Sequence, residues 1–92
     1  MIQSFKDASA RDFYESGSGR RWASIRTTAQ RKLDQIDGAS SLDDLRTPPG
    51  NRLEALKGDR NGQHSIRIND QSRICFVWKG DGAHDAEIAD YH

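Results

Sequence analysis

One cysteine, Cys75, and two adjacent prolines, Pro48 and Pro49, are all that these 92 residues hold of the two types that most constrain a backbone. A lone cysteine excludes an internal disulfide and fits a reducing compartment. Aromatic residues make up 8% and hydrophobic residues 34% of the chain, so any core must be economical. No apolar run approaches the roughly 20 residues of a membrane span. The opening, MIQSFKDASARD, lacks the apolar centre of a signal peptide. Net charge is missing as well, because 14 Lys and Arg balance 14 Asp and Glu. These absences predict a single cytoplasmic domain spanning residues 1–92, without membrane contact.

What is present is unevenly placed. From Asn51 to Lys79 six cations (Arg52, Lys57, Arg60, Arg67, Arg73, Lys79) face three acids (Glu54, Asp59, Asp70). From Gly80 to His92 there are four acids and no Lys or Arg. A neutral total therefore hides a local positive field beside an acidic ending.

The apolar pattern predicts an α+β domain. Ile2 to Phe5 alternates and reads as a short first strand; Ser9, followed by Asp12, suggests a capping-box start to a helix that Gly17 and Gly19 end. Trp22, Ile25, Ala29, Leu33 and Ile36 form one stripe at helical spacing, stopping near Gly38. Ser41 to Arg46 reads as a short turn or helical piece, and Pro48-Pro49-Gly50 forces an irregular connection. Arg52 to Lys57, Gln63 to Asn69, Arg73 to Lys79 and Ala86 to Tyr91 then read as strands. Gly58 to Gly62, Asn69 to Gln71 and Gly80 to Gly82 turn the chain between them. The expected architecture is a compact, antiparallel-dominated sheet of four to five strands with two N-terminal helices packed on one face.

Ile66, Ile68, Ile74, Phe76 and Trp78 must then cover the helix stripe, which brings Arg67 and Arg73 together on the open face. Lys57 and Arg60 lie near the turn, and Asp90, Tyr91 and His92 end the last strand. Cleavage of RNA needs a base for the 2′-hydroxyl, cations for the phosphorane and an acid for the leaving 5′-oxygen. Carboxylate, imidazole and phenol suit the proton transfers, and Arg and Lys suit the phosphate. The competing readings are structural. Arg67 and Arg73 would pair with Asp90 or Glu87, Tyr91 would cap the core, and His64 and Cys75 would pack. His64, His84 and His92 lack the spacing of a zinc site, and the Gly58 to Gly62 turn lacks the ending of a phosphate loop. No metal or other cofactor is expected.

The segments LKGDRNGQHSIRIN, QSRICF and the terminal DYH carry a resemblance that extends over nearly the whole chain, including MIQSF and RKLDQID. The sequence closely resembles HigB-type toxins of bacterial toxin–antitoxin systems, within the RelE/ParE superfamily. The resemblance implies the RelE-like fold and a metal-independent, ribosome-dependent mRNA endoribonuclease that cuts codons in the A site and arrests growth. Its partners would be the 70S ribosome, mRNA and a HigA-like helix-turn-helix antitoxin, with DNA met only through the antitoxin complex. By position, Lys57, Arg73, Asp90, Tyr91 and His92 match phosphate-binding and proton-transfer places. Glu54 stands where some members carry a catalytic histidine, and it is a candidate base. The expected catalytic set is thus Arg73, Asp90, Tyr91, His92 and Glu54, with Lys57, Arg60 and Arg67 binding RNA. Two rivals share the fold class: a non-enzymatic ParE-like poison of DNA gyrase, and an inert RNA-binding domain.

Overall fold

A computed structural model describes residues 1–90. The first helix, α1 (Ala8–Ser16), begins at Asp7, not at Ser9 as the capping-box spacing suggests. Asp7 is extended, and its carboxylate accepts the Ala10 N–H at 2.8 Å, filling one of the orphan donors of the first turn. Gly17 closes the helix in the left-handed region (φ 73°), where its N–H reaches the Phe13 carbonyl at 2.8 Å. The long apolar stripe is divided. Arg20–Ile25 is a 3-10 helix, and α2 proper spans Arg26–Gly38. Residues three apart eclipse in a 3-10 turn, so Trp22 and Ile25 stay in line with Ala29, Leu33 and Ile36 despite the change of helix type. Trp22 packs edge-on against Phe13 with ring centroids 5.2 Å apart, joining the two helices.

The sheet is an antiparallel meander of β1 (Glu54–Ala55), β2 (His64–Arg67), β3 (Ser72–Lys79) and β4 (Gly82–Asp90), in that order. Side-chain alternation sends Ile66, Ile74, Phe76 and Ile88 into a core shared with Phe13, Leu33 and Ile36. The other face is polar. Register sets Arg67 opposite Arg73, Ser65 opposite Cys75 and Glu54, and Cys75 opposite Glu87.

Three predicted strands come out shorter, and the one expected from Gln63 to Asn69 keeps only His64–Arg67. Ile2 and Phe5 make only isolated parallel bridges, to Ala83 and Ala86, and Asp85 with a left-handed backbone (φ 53°) lies between those partners. Gly82 is obligatory there: a Cβ would stand 2.0 Å from the Met1 carbonyl oxygen, and φ is 128°. The strand expected from Arg52 to Lys57 contracts to Glu54–Ala55. It is squeezed between a 3-10 turn at Pro49–Asn51, after which Arg52 adopts φ 46°, and another at Gly58–Arg60. Leu42–Arg46 is a 3-10 helix with a capping box between Ser41 and Asp44, whose carboxyl is held below its ordinary range by the Ser40 and Ser41 backbone N–H groups.

Asn51 ties the connection to α2. Fully buried, its amide nitrogen lies 3.1 Å from the Leu45 carbonyl, 3.3 Å from that of Thr47 and 3.1 Å from Gln35 Oε1. Its own carbonyl accepts from Lys32 Nζ. Replacing it by alanine strands several buried acceptors and a cation. Asn51→Ala is expected to lower unfolding free energy by about 2–3 kcal/mol, read from the urea midpoint at constant slope.

Tyr14 joins the helices in a different way, donating to Asp34 Oδ1 at 3.0 Å. Burial, then the hydrogen bond to Asp34 and the nearby charge of Asp37, pushes its pKa from 10.0 up to about 12. The neutral phenol is the favoured folded form, so its contribution is complete below pH 10.0 and disappears as pH rises through about 12. The stability advantage of wild type over Tyr14→Phe should therefore be constant at neutral pH and narrow across that alkaline window, as followed by urea unfolding at stepped pH.

Candidate nucleic-acid interface

The polar face of the sheet and the loops around β1 enclose a cleft of about 570 Å³. Arg52, Lys57, Arg60, Arg67 and Arg73 line it, against the two acids Glu54 and Asp70; Leu56 and Asn69 complete the wall. Five cations converging on one concavity make a local field that the neutral total charge conceals.

Arg73 is the most enclosed of the paired cations, with its side chain 15% exposed against 51% for its partner Glu54. Its Nε donates to Ser65 Oγ at 2.8 Å, and one Nη donates to the Arg52 carbonyl at 2.8 Å. The same Nη lies 3.5 Å from Glu54 Oε1. Arg67, directly across the ladder, pairs with Asp70 in the following turn. Among the described residues the acids that meet the two arginines are Glu54 and Asp70, in place of the Asp90 or Glu87 of the structural reading. Glu87 binds elsewhere, taking Arg60 at 3.3 Å and Lys6 at 3.1 Å on one carboxylate oxygen. Arg60 also donates to Gln63 Oε1 at 3.1 Å, which fixes it at the rim.

Lys32 adds charge from beneath. Burial, then the like charges of Arg31 and Arg67, pushes its ammonium below the ordinary lysine range. It stands on Asn51, the residue before Arg52, so the buried anchor of the fold adjoins the cleft.

Of the expected site residues, Glu54, Lys57, Arg60, Arg67 and Arg73 all line the cleft. Asp90 does not. It pairs with Ser72, whose hydroxyl donates to Asp90 Oδ1 at 3.1 Å, and it shares the side of β4 taken by Ile88, whereas Ala89 is the neighbour of Arg73. Tyr91 and His92 lie outside the described residues. His64 sits opposite Phe76 on the core side, with Nδ1 buried and unpartnered among the described residues, in keeping with a packing role. Sequence reasoning missed Ser65 and the Arg52 carbonyl as partners of Arg73. The first was signalled by its place two residues before Arg67 on the same strand face. A backbone oxygen leaves no signal in the side-chain pattern.

The fold is an antiparallel meander backed by two helices with a cation-lined cleft, and comparison with known proteins defines its class. A family model described as the RelE-like toxin of type II toxin–antitoxin system HigB matches residues 3–92. Toxin HigB-1 of Vibrio cholerae serotype O1 is 44% identical over 80 residues, covering 85% of this chain and 84% of that protein. An uncharacterized protein of Haemophilus influenzae is 35% identical over 77 residues, covering 82% and 74%. Among solved structures, a chain of the YoeB–YefM complex from Staphylococcus aureus gives a TM-score of 0.58 at 17% identity, with 100% of this chain and 98% of that one covered. The YoeB/ParE toxin from Agrobacterium tumefaciens gives 0.52 at 22% identity, with 97% and 96% covered. At such identities the structures carry the fold alone. The chain belongs to the HigB-like toxin family. It is a toxin of a type II toxin–antitoxin system. No helix among the described residues is long and apolar enough to cross a membrane.

The opposed arginines make a test possible at this level. Like charges directly across an antiparallel pair destabilise by roughly 0.2–1 kcal/mol. Arg67→Thr, which also removes the pair with Asp70, should therefore raise the unfolding free energy by at most about that amount at low salt, read from urea unfolding, with the gain shrinking as salt screens the repulsion.

Proposed function

We propose that this toxin is a ribosome-dependent, metal-independent endoribonuclease that cuts mRNA within A-site codons, and that a HigA-like antitoxin neutralises it. The observation that supports this most is the placement of Arg67 and Arg73 side by side at the cleft floor, a costly arrangement that a phosphate would relieve. RelE-like relationship and the assembly named for the YoeB–YefM structure favour the same reading.

In this mechanism the scissile phosphate takes the place of Glu54 at Arg73, one anion exchanging for another. Arg67 and Lys57 hold its flanking oxygens, and planar guanidinium groups suit the trigonal-bipyramidal phosphorane. The displaced Glu54 carboxylate removes the proton from the 2′-hydroxyl. The 2′-oxygen attacks phosphorus, the bond to the 5′-oxygen breaks, and a 2′,3′-cyclic phosphate forms. His92 is assigned the proton delivered to the departing 5′-oxygen and Tyr91 the stacking on the nucleotide. Asp90, turned toward Ser72, supports the strand end. Cations that hold a phosphate do not align a 2′-hydroxyl by themselves, so the decoding centre of the ribosome supplies that orientation.

A cell-free translation reaction with a defined message, its 5′ ends mapped with and without ribosomes, tests the proposal. Wild type should cut within codons only when ribosomes are present. Arg73→Ala should lose about 10²–10³-fold in rate through the lost phosphorane stabilisation. Glu54→Gln should lose about 10²-fold while still binding ribosomes. An intact message under wild-type toxin that still arrests growth would discard the nuclease in favour of gyrase binding.

A further inference from the structure

A phosphate-binding arginine is useful only if its plane is fixed before the substrate arrives, and Arg73 faces a neighbour of its own charge that pushes it away. Among the described residues two uncharged acceptors restrain it. Ser65 is fully buried and takes the Nε–H at 2.8 Å from the adjacent strand. The Arg52 carbonyl takes an Nη–H at 2.8 Å from the other side. That carbonyl points inward because Arg52 holds φ 46° and ψ 56°. A non-glycine residue stays in this region only where its surroundings over-determine it. Here the surroundings are the Pro49–Asn51 turn, the Arg52 N–H to Pro49 carbonyl bond at 3.1 Å, and the buried Asn51 amide.

We infer that Ser65, together with the left-handed Arg52 carbonyl, is a positioning device that orients the Arg73 guanidinium for the scissile phosphate; this rests on the nuclease reading above. Both acceptors are neutral, so they fix direction without cancelling charge. Glu54 does the reverse, since it neutralises from an exposed position and is replaceable by the incoming anion. Ser65 touches no substrate in this arrangement and acts through Arg73.

The test combines a cleavage cycle with an activity-free measurement. Single-turnover cleavage on programmed ribosomes is compared for wild type, Ser65→Ala, Arg73→Lys and the double variant, with Ser65→Thr as the form that keeps the hydroxyl. Ser65→Ala should slow cleavage about 10- to 100-fold, as misplacement of a catalytic group does, with half-saturating toxin concentration unchanged. In the Arg73→Lys background, which lacks the Nε–H, the same substitution should change nothing further. Ser65→Thr should keep the wild-type rate. Equal slowing in both backgrounds would mean a merely structural serine and would overturn the inference.

Nitrogen-15 spectra of the free toxin decide the positioning independently. The Arg73 Nε–H should give a protected, ordered signal in wild type and Ser65→Thr, and that signal should be lost in Ser65→Ala while the backbone amides stay dispersed. A signal that persists in Ser65→Ala overturns the positioning role whatever the cleavage result. Wild type that cuts no message overturns the nuclease reading, and the Nε–H signal then still decides how Arg73 is held.

Discussion

Two guanidinium groups set opposite one another across β2 and β3 are the constraint around which this small domain is arranged. Antiparallel pairing alone would avoid them, because like charges at that spacing repel. The register cannot slip to separate them. A shift of one residue would turn either Ile66 on β2, or Ile74 and Phe76 on β3, out of the core and bring that strand's arginine into it. Hydrophobic burial thus locks in an unfavourable electrostatic contact, and the surrounding loops supply the compensation. Asp70 comes from the tight turn that joins the two strands, and Glu54 comes from the shortened β1.

The loops can do this only if they are themselves well anchored. Asn51 supplies the anchor, gathering α2, the Leu42–Arg46 helix and the start of β1 around one buried amide. Residues 52 to 54 follow directly, so the placement of the Arg52 carbonyl and of Glu54 is inherited from that amide. The cation above it, Lys32, is in turn crowded by Arg67. Fold and cleft share this corner. A substitution at Asn51 would reach the site through the backbone even though its side chain faces the core.

Much of this is legible in the sequence wherever periodicity governs. Alternation in 63–69 and 73–79 is enough to place Arg67 and Arg73 on one face, and the helix stripe survives the change from 3-10 to α geometry because both keep Trp22 and Ile25 in line. The failures fall where backbone conformation overrides pattern. Ile2 to Phe5 alternates like a strand, yet it meets β4 only at two bridges flanking the left-handed Asp85. Arg52 to Lys57 also alternates, yet the turns on either side leave two residues in the ladder. Asp90 ends the last strand, which groups it with the site in sequence, but parity puts it on the Ile88 side with Ser72. Only the register, counted from Arg73 through its neighbour Ala89, reveals this.

The resemblance to HigB-type toxins implies a histidine in some members where Glu54 stands, and under the proposed mechanism the surroundings of Glu54 suit an acid. A neutral imidazole could not balance Arg73 beside Arg67, and an imidazolium would deepen the repulsion. A carboxylate balances it while the site is empty. The orienting contacts from Ser65 and Arg52 come from neutral groups, so they can hold the guanidinium while Glu54 exchanges for another anion. In the proposed mechanism an arriving phosphate would inherit a directed cation and would not have to bury an unpaired charge, which is the usual penalty of ionic sites. In that mechanism the same exchange would free the carboxylate close to the sugar whose proton it takes. In the proposed mechanism neutralisation and base catalysis would be two states of one residue, and the cleft would stay folded until RNA entered it.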